Sequence, residues 1–215
     1  MKHLVIIGAG GFGREVYWSA KESVGYGSEF EIKGFLDSNE HILDAFPNYP
    51  PILGVEDTYE IESDDIFVCA VGDVRLKKKC CETILNRGGH FFNLVHKDAY
   101  IGENTHIGVG CIFLALSRVH CDVSIGDFVT VQPYSVIGHD VKVGNWCQIN
   151  DYSDCGGASE IGNEVTINTH SFIFPRVKVG DRATIGAGSF VLRNVKEGVV
   201  VFGNPAKPLP LPKAE

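Results

Sequence analysis

From Ile101 to Val191 an apolar residue returns at every sixth position, sixteen times without a change of phase. The series is Ile101, Ile107, Phe113, Val119, Ile125, Val131, Ile137, Val143, Ile149, Cys155, Ile161, Ile167, Ile173, Val179, Ile185 and Val191. Such a period is neither that of a helix nor the alternation of a free strand. A short fixed repeat marks a solenoid, in which each unit buries its apolar column only against its neighbours. The residue two places earlier is always Ser, Thr, Ala, Cys or Val, for example Thr105, Cys111, Ser135, Val141 and Ser171, so that column has little interior room. The residue one place later is Gly or Asn eleven times, as at Gly102, Gly138, Asn150 and Gly156. These residues tolerate left-handed backbone, which predicts the tight corners there. Three six-residue sides make one 18-residue coil, and the series fills about five coils.

Residues 1–97 have a different texture. Apolar runs at 2–7, 31–36, 66–71 and 91–95 predict strands, and 14–21 and 74–87 are helix-compatible. Strands alternating with helices give a small, Rossmann-like parallel α/β sheet. After the first strand come Gly8, Ala9, Gly10, Gly11, Phe12 and Gly13, which satisfy G-x-G-x-x-G, and Asp37 ends the next strand. Such glycines let backbone approach a phosphate, and a helix N-terminus favours the anion. A dinucleotide site needs two mononucleotide halves, and this segment has room for about one. That disfavours NAD and favours a nucleotide-sugar, with Asp37 meeting ribose or base. Gly72 and Asp73 follow the third run, where open α/β sheets bind ligands. The expected organisation is a nucleotide-sugar-binding domain at 1–97, a β-helix at 98–202 and a tail at 203–215.

The net charge of −8 argues against a non-specific nucleic-acid binder and a polybasic membrane surface. No stretch is long enough to span a bilayer, and the opening apolar run is too short for a signal peptide, so a cytoplasmic protein is expected. Seven cysteines occur without a C-x-x-C, and Cys111, Cys147 and Cys155 fall in inward columns, which reads as reduced core thiols. His139 lies two places after Ile137 and should leave the core near a corner. A histidine suits a base working near neutrality, and Asp140 beside it can fix the tautomer. Gly157 stands 18 residues after His139, one coil on in the same column. His106, His120 and His170 do not share His139's place in the coil, and no metal site is expected.

Three segments carry a family resemblance: Ile6 through Val16, Val136 through Asp140, and Phe202 through Lys207. Through them the chain resembles the hexapeptide-repeat nucleotide-amino-sugar acetyltransferases and the related sialic-acid O-acyltransferase-like proteins. The resemblance implies a left-handed parallel β-helix, since spacing alone does not give the hand. It implies an acetyl-CoA-dependent N-acetyltransferase acting on a nucleotide-linked amino sugar, in the synthesis of a surface-glycan precursor. His139 would then be the general base, with Asp140 orienting it and the Gly157 amide holding the thioester oxygen. Acetyl-CoA would meet Gln148, Thr169, Gly186 and Ala187, then Asn204, Pro205 and Lys207 in the ending. Gln132 would join the nucleotide-sugar residues. Gln148 stands where the family often has a second histidine, and His96 resembles a structural histidine. A homotrimer is implied, and outward apolar residues such as Phe128, Trp146 and Phe172 supply surface for it. Two alternatives are a sugar O-acetyltransferase and a nucleotide-sugar-binding protein whose catalysis has lapsed.

Overall fold

The computed structural model describes residues 1–209. The chain divides into two compact units, residues 1–97 with 109–112, and residues 98–108 with those from 113 onward.

The first unit contains β1 (Lys2–Ile7), α1 (Gly11–Lys21), β2 (Phe30–Leu36), β3 (Ile52–Gly54), β4 (Asp65–Cys69), α2 (Val74–Asn86) and β5 (Leu94–Val95). Four strands pair in parallel in the order β3-β2-β1-β4. The chain winds outward from β1 to β3 and then crosses to the other side of β1. That reversal places the carboxyl ends of β1 and β4 where such sheets open a crevice. Both strands are apolar runs rather than alternating ones because both faces are covered: Leu4 to Ile7, Phe67 and Val68 are fully buried. α1 lays Gly13, Val16 and Ala20 on the core, the spacing of one helical face. The Asp73 carboxylate caps α2 by accepting the Leu76 N–H at 2.8 Å. Two elements depart from the sequence reading. β3 is too short to show a pattern. Within 91–95 only β5 is strand, while Phe91 makes a single bridge to Phe67.

A buried ion pair lies beside this sheet. The Asp65 side chain is 0% exposed, and its Oδ1 is 2.9 Å from Lys33 Nζ. Its Oδ2 accepts the Tyr59 hydroxyl at 2.8 Å and the Glu62 N–H at 2.9 Å. Burial pushes the Asp65 carboxyl up, but the bonds from Lys33, the Glu62 N–H and Tyr59 outweigh it and hold the group below the usual carboxylate range. A lowered folded pKa contributes stability that is present above the unfolded value and is lost as pH falls through the folded one. Asp65→Asn leaves the Lys33 ammonium short of its buried partner and should cost about 3 kcal/mol in chemical denaturation. The difference from wild type should shrink below about pH 4, where the carboxylate is being protonated.

The second unit carries sixteen two-residue strands, from Tyr100–Ile101 to Phe190–Val191. The first thirteen each pair in parallel with the strand 18 residues on, as in Ser124↔Lys142, Val136↔Asp154 and Gln148↔Thr166. The result is a three-sided parallel β-helix. From Phe113 onward every member of the apolar column is at most 4% exposed. The inward serines extend the register: the Ser135, Ser153 and Ser171 hydroxyls donate to the carbonyls of Asn150, Asn168 and Gly186 at 2.8–2.9 Å.

The corners are built differently from expectation. The glycines that follow the apolar column do not take left-handed backbone. The left-handed residue lies two places further on and is usually not glycine: Asn104, Asp122, Asp140 and Trp146 have φ between 57° and 64°. Glycine is needed earlier for closeness. A Cβ at Gly138 would stand 2.9 Å from the Cys155 carbonyl oxygen, and one at Gly156 2.6 Å from that of Ile173. Left-handed backbone costs an ordinary residue roughly 1–2 kcal/mol. Stacking between coils offsets it, with Phe128 on Trp146 at 4.1 Å and Tyr134 on Tyr152 at 4.8 Å between ring centres. Phe128 is therefore not the outward surface expected, being 4% exposed. After the last repeat, strand Val200–Phe202 continues one sheet, and Lys207–Pro208 turns back antiparallel to it. No described helix is long and apolar enough to cross a membrane.

Candidate functional site

His139 sits at a corner of the β-helix, with its side chain 63% exposed. The left-handed backbone of Asp140, φ 59°, turns its carboxylate back so that Oδ2 lies 2.6 Å from His139 Nδ1. A carboxylate only accepts, so the proton lies on Nδ1 and the Nε2 lone pair is free to take another. Nε2 is directed over the next coil, where a Cβ on Gly157 would stand 2.6 Å from it. Gly157 is thus the absence of a side chain that lets the imidazole lie flat on the coil above.

The same absence frees a donor. At the corner carrying Asp127, Asn145, Asn163 and Asp181, the first three backbone N–H groups are each taken by the side chain one coil on. Asp127 and Asn145 donate to Asn145 and Asn163 at 2.8 and 2.9 Å, and Asn163 to Asp181 at 2.8 Å. In the His139 column the successors are Gly157 and Pro175, which offer no side-chain acceptor. Among the described residues the Gly157 N–H donates to no other group. A base and an unused N–H therefore lie side by side, which suits attack on a carbonyl whose oxygen gains charge.

In the first unit a cavity of about 470 Å³ opens at the carboxyl ends of the strands, lined by Gly8, Asp37, Ser38, Glu56, Val71 and Lys79 among others. Asp37 braces its glycine loop, accepting from the Ala9 N–H and the Asn39 N–H at 2.9 Å each. The loop glycines divide by task. Gly8, at φ 90°, lies against Ala70, and a Cβ on Gly13 would stand 2.0 Å from the Gly8 carbonyl oxygen. Gly10 and Gly11 face open space. α1 begins here with no side-chain cap and no acidic residue in its first turn, which leaves its N-terminus suited to an anion. Phe12, Gly72 and Asp73 do not line the cavity, and Asp73 serves α2 as its cap.

The remaining expected residues fall elsewhere on the β-helix. Thr169 and Ala187 share a column on a different corner from His139, and Gly186 lies under Phe202, 2.4 Å from ring to an added Cβ. Gln132 is half-buried one residue after Val131. Gln148 is placed otherwise than expected: it is 1% exposed, and its amide nitrogen donates to the Asn150 side chain at 3.1 Å. Asn204 and Pro205 form the turn before Lys207, and Lys207 lines a cavity of about 380 Å³ with Arg193 and Lys196. These two further cations suit a phosphate-bearing ligand but belong to no motif, and only the folding back of the tail reveals them. His96 is structural, 3% exposed with Nε2 3.2 Å from the Glu22 carboxylate. No disulfide links any of the seven cysteines.

Residues 3–84 match the family model of the PglD N-terminal domain, and residues 122–153 match that of the bacterial transferase hexapeptide, six repeats. A stretch similar to the PglD N-terminal domain is thus followed by one similar to transferase hexapeptide repeats. The acetyltransferase domain of PglB from Neisseria gonorrhoeae FA1090 is 29% identical with a TM-score of 0.87, over 97% of this chain and 100% of that one. The same domain in complex with acetyl coenzyme A matches equally, over 97% and 99%. PerB from Caulobacter crescentus, in complex with CoA and GDP-perosamine, is 24% identical with a TM-score of 0.88 over 98% of each chain, a likeness of fold. The β-helix is left-handed, as in these neighbours. An uncharacterized protein of Acanthamoeba polyphaga mimivirus is 29% identical over 126 residues, 59% of this chain and 24% of that protein. The matched stretch spans about a quarter of that curated relative.

Gly13→Ala should cost about 1–3 kcal/mol by overpacking against the Gly8 carbonyl. Gly11→Ala, facing open space, should leave the unfolding midpoint unchanged or slightly raised. Urea denaturation of both variants checks the contrast.

Proposed function

We propose that this protein transfers an acetyl group from acetyl-CoA to the amino group of a nucleotide-linked amino sugar. The observation that carries the reading is the His139–Asp140 pair, with Nε2 lying over Gly157 and its unused N–H. The likeness to the PglB acetyltransferase domain, itself solved with acetyl coenzyme A, supports the donor. The cavity beside the Gly8 loop, about 470 Å³, suits one nucleotide rather than two.

In this reading the sugar amine attacks the thioester carbonyl carbon and His139 Nε2 takes the proton the amine loses. Asp140 holds Nδ1–H and stabilises the imidazolium without itself taking the proton. The Gly157 N–H receives the carbonyl oxygen as it gains charge. The carbon–sulfur bond then breaks, and the CoA thiolate leaves with the proton from His139. Arg193, Lys196 and Lys207 offer charge to the CoA phosphates. Thr169 and Ala187 lie on a different corner from His139, so one chain cannot present all of these residues to one acyl donor. A homotrimer joining unlike corners of neighbouring chains would assemble them, with Gln132 toward the acceptor.

His139→Ala should lower kcat about 10²–10⁴-fold with little change in either KM, since a base acts mainly in the transition state. Asp140→Asn should cost less. Gly157→Ala should also lower kcat without loss of fold, because its Cβ displaces the imidazole. Steady-state kinetics with UDP-, GDP- and dTDP-linked amino sugars decides this. Full activity in His139→Ala removes the mechanism.

A further inference from the structure

The cavity beside the Gly8 loop carries the wrong charge for a phosphate. Three acidic residues line it, Asp37, Glu56 and Asp57, against one cation, Lys79. A diphosphate would meet carboxylates there. Its place is outside, where Gly10 and Gly11 face open space before the uncapped end of α1. The cavity itself therefore suits the nucleoside. Leu36, Val55, Val71 and Leu76 give it apolar walls for the faces of a flat base.

Side-chain donors are scarce on its walls. The Thr83 hydroxyl is spent on the Lys79 carbonyl at 3.1 Å. The Cys80 thiol donates to the Glu56 carboxylate, and burial first, then that bond, push the thiol well above its usual range. Lys79 and Ser38 remain. The acceptors are better placed. Each Asp37 oxygen takes one backbone N–H, from Ala9 or Asn39 at 2.9 Å, and keeps a second lone pair for a ribose hydroxyl. Glu56 sits on a braced turn. Arg87, which follows α2, donates Nη1 to the Glu56 carbonyl and Nη2 to the Tyr59 carbonyl, the latter at 2.6 Å. The Thr58 and Tyr59 N–H groups both return to the Val55 carbonyl, at 3.1 and 2.9 Å. Glu56 is thus a fixed acceptor on the cavity wall.

Bases differ in what they offer such an acceptor. Guanine presents two N–H groups side by side, N1–H and the N2 amino group, and one carboxylate accepts from both. Uracil and thymine present one N–H between two carbonyl oxygens. A carboxylate that meets the N–H then sets its other oxygen against a carbonyl. Adenine presents an amino group beside a bare ring nitrogen, with the same conflict. We propose that this cavity selects guanine, so that the acceptor is a GDP-linked amino sugar. Glu56 accepts from N1–H and from the N2 amino group, and Lys79 donates to O6. This rests on the reading of the cavity as the nucleotide site. Glu56 sets specificity for the acceptor and takes no part in acetyl transfer.

Calorimetry on the whole protein with GDP, IDP, UDP, dTDP and ADP tests this without any acetyl transfer. Wild type should bind GDP about 10–100-fold more tightly than UDP, dTDP or ADP, the worth of hydrogen bonds to a charged group. IDP differs from GDP only in lacking the N2 amino group, and should bind about tenfold more weakly. Glu56→Gln should narrow the GDP-to-UDP ratio about tenfold or more. Its amide accepts the uracil N–H and donates to the carbonyl beside it, so UDP should bind the variant more tightly than wild type. A structural role alone would weaken every nucleotide alike, and unchanged ratios in Glu56→Gln overturn the proposal. UDP, dTDP, ADP or IDP binding wild type as tightly as GDP overturns it as well, and these comparisons need no variant to fold. If wild type binds none of the five, the nucleotide reading of the cavity falls and this proposal with it. Binding of UDP or dTDP in preference to GDP sinks this proposal alone.

Discussion

The 18-residue register between coils is the constraint on which the β-helix depends. Two-residue strands have no stability alone, since one coil cannot cover its own apolar column. Pairing each strand with the next coil saturates the backbone and buries the column in one step. The cost falls at the corners, where Asp122, Asp140, Trp146 and others hold left-handed backbone that ordinary side chains resist. Those corners persist because the coils above and below over-determine them. Asp140 shows how such strain becomes useful. The same conformation that turns the chain returns its carboxylate to the neighbouring imidazole.

Register also assembles the chemistry. His139 and Gly157 are far apart in sequence but adjacent in the stack, and so are Gly138 and Gly156. Each pair is one coil apart, and each works through a missing side chain. The first unit uses glycine in the same two ways. Gly13 removes bulk so that α1 can approach β1, while Gly10 and Gly11 leave space in front of a helix N-terminus.

Much of this was legible in the sequence because a period of six has few structural solutions. The sixteen apolar positions all became strand residues. The pairing of His139 with Gly157 followed from counting. The corner conformation was misread because glycine signals two things, positive φ and close approach, and composition does not separate them. Residues such as Phe128 and Trp146 gave no hint of left-handed backbone. The burial of Gln148 was equally hidden, because its column is nominally outward. β3 was missed because three residues are too few to display a pattern. Arg193 and Lys196 became visible only once the tail folded back beside them.

The one-coil spacing of His139 and Gly157 has one more consequence. In a solenoid every coil is nearly interchangeable, and an added or lost coil at either end leaves the remaining stack intact. The coils that carry His139 and Gly157 are the exception, because each contributes a different part of the site. This protein is therefore modular in its architecture but indivisible over that one stretch. Its length can drift at the ends, while the order of its middle coils cannot be shuffled without dispersing the site.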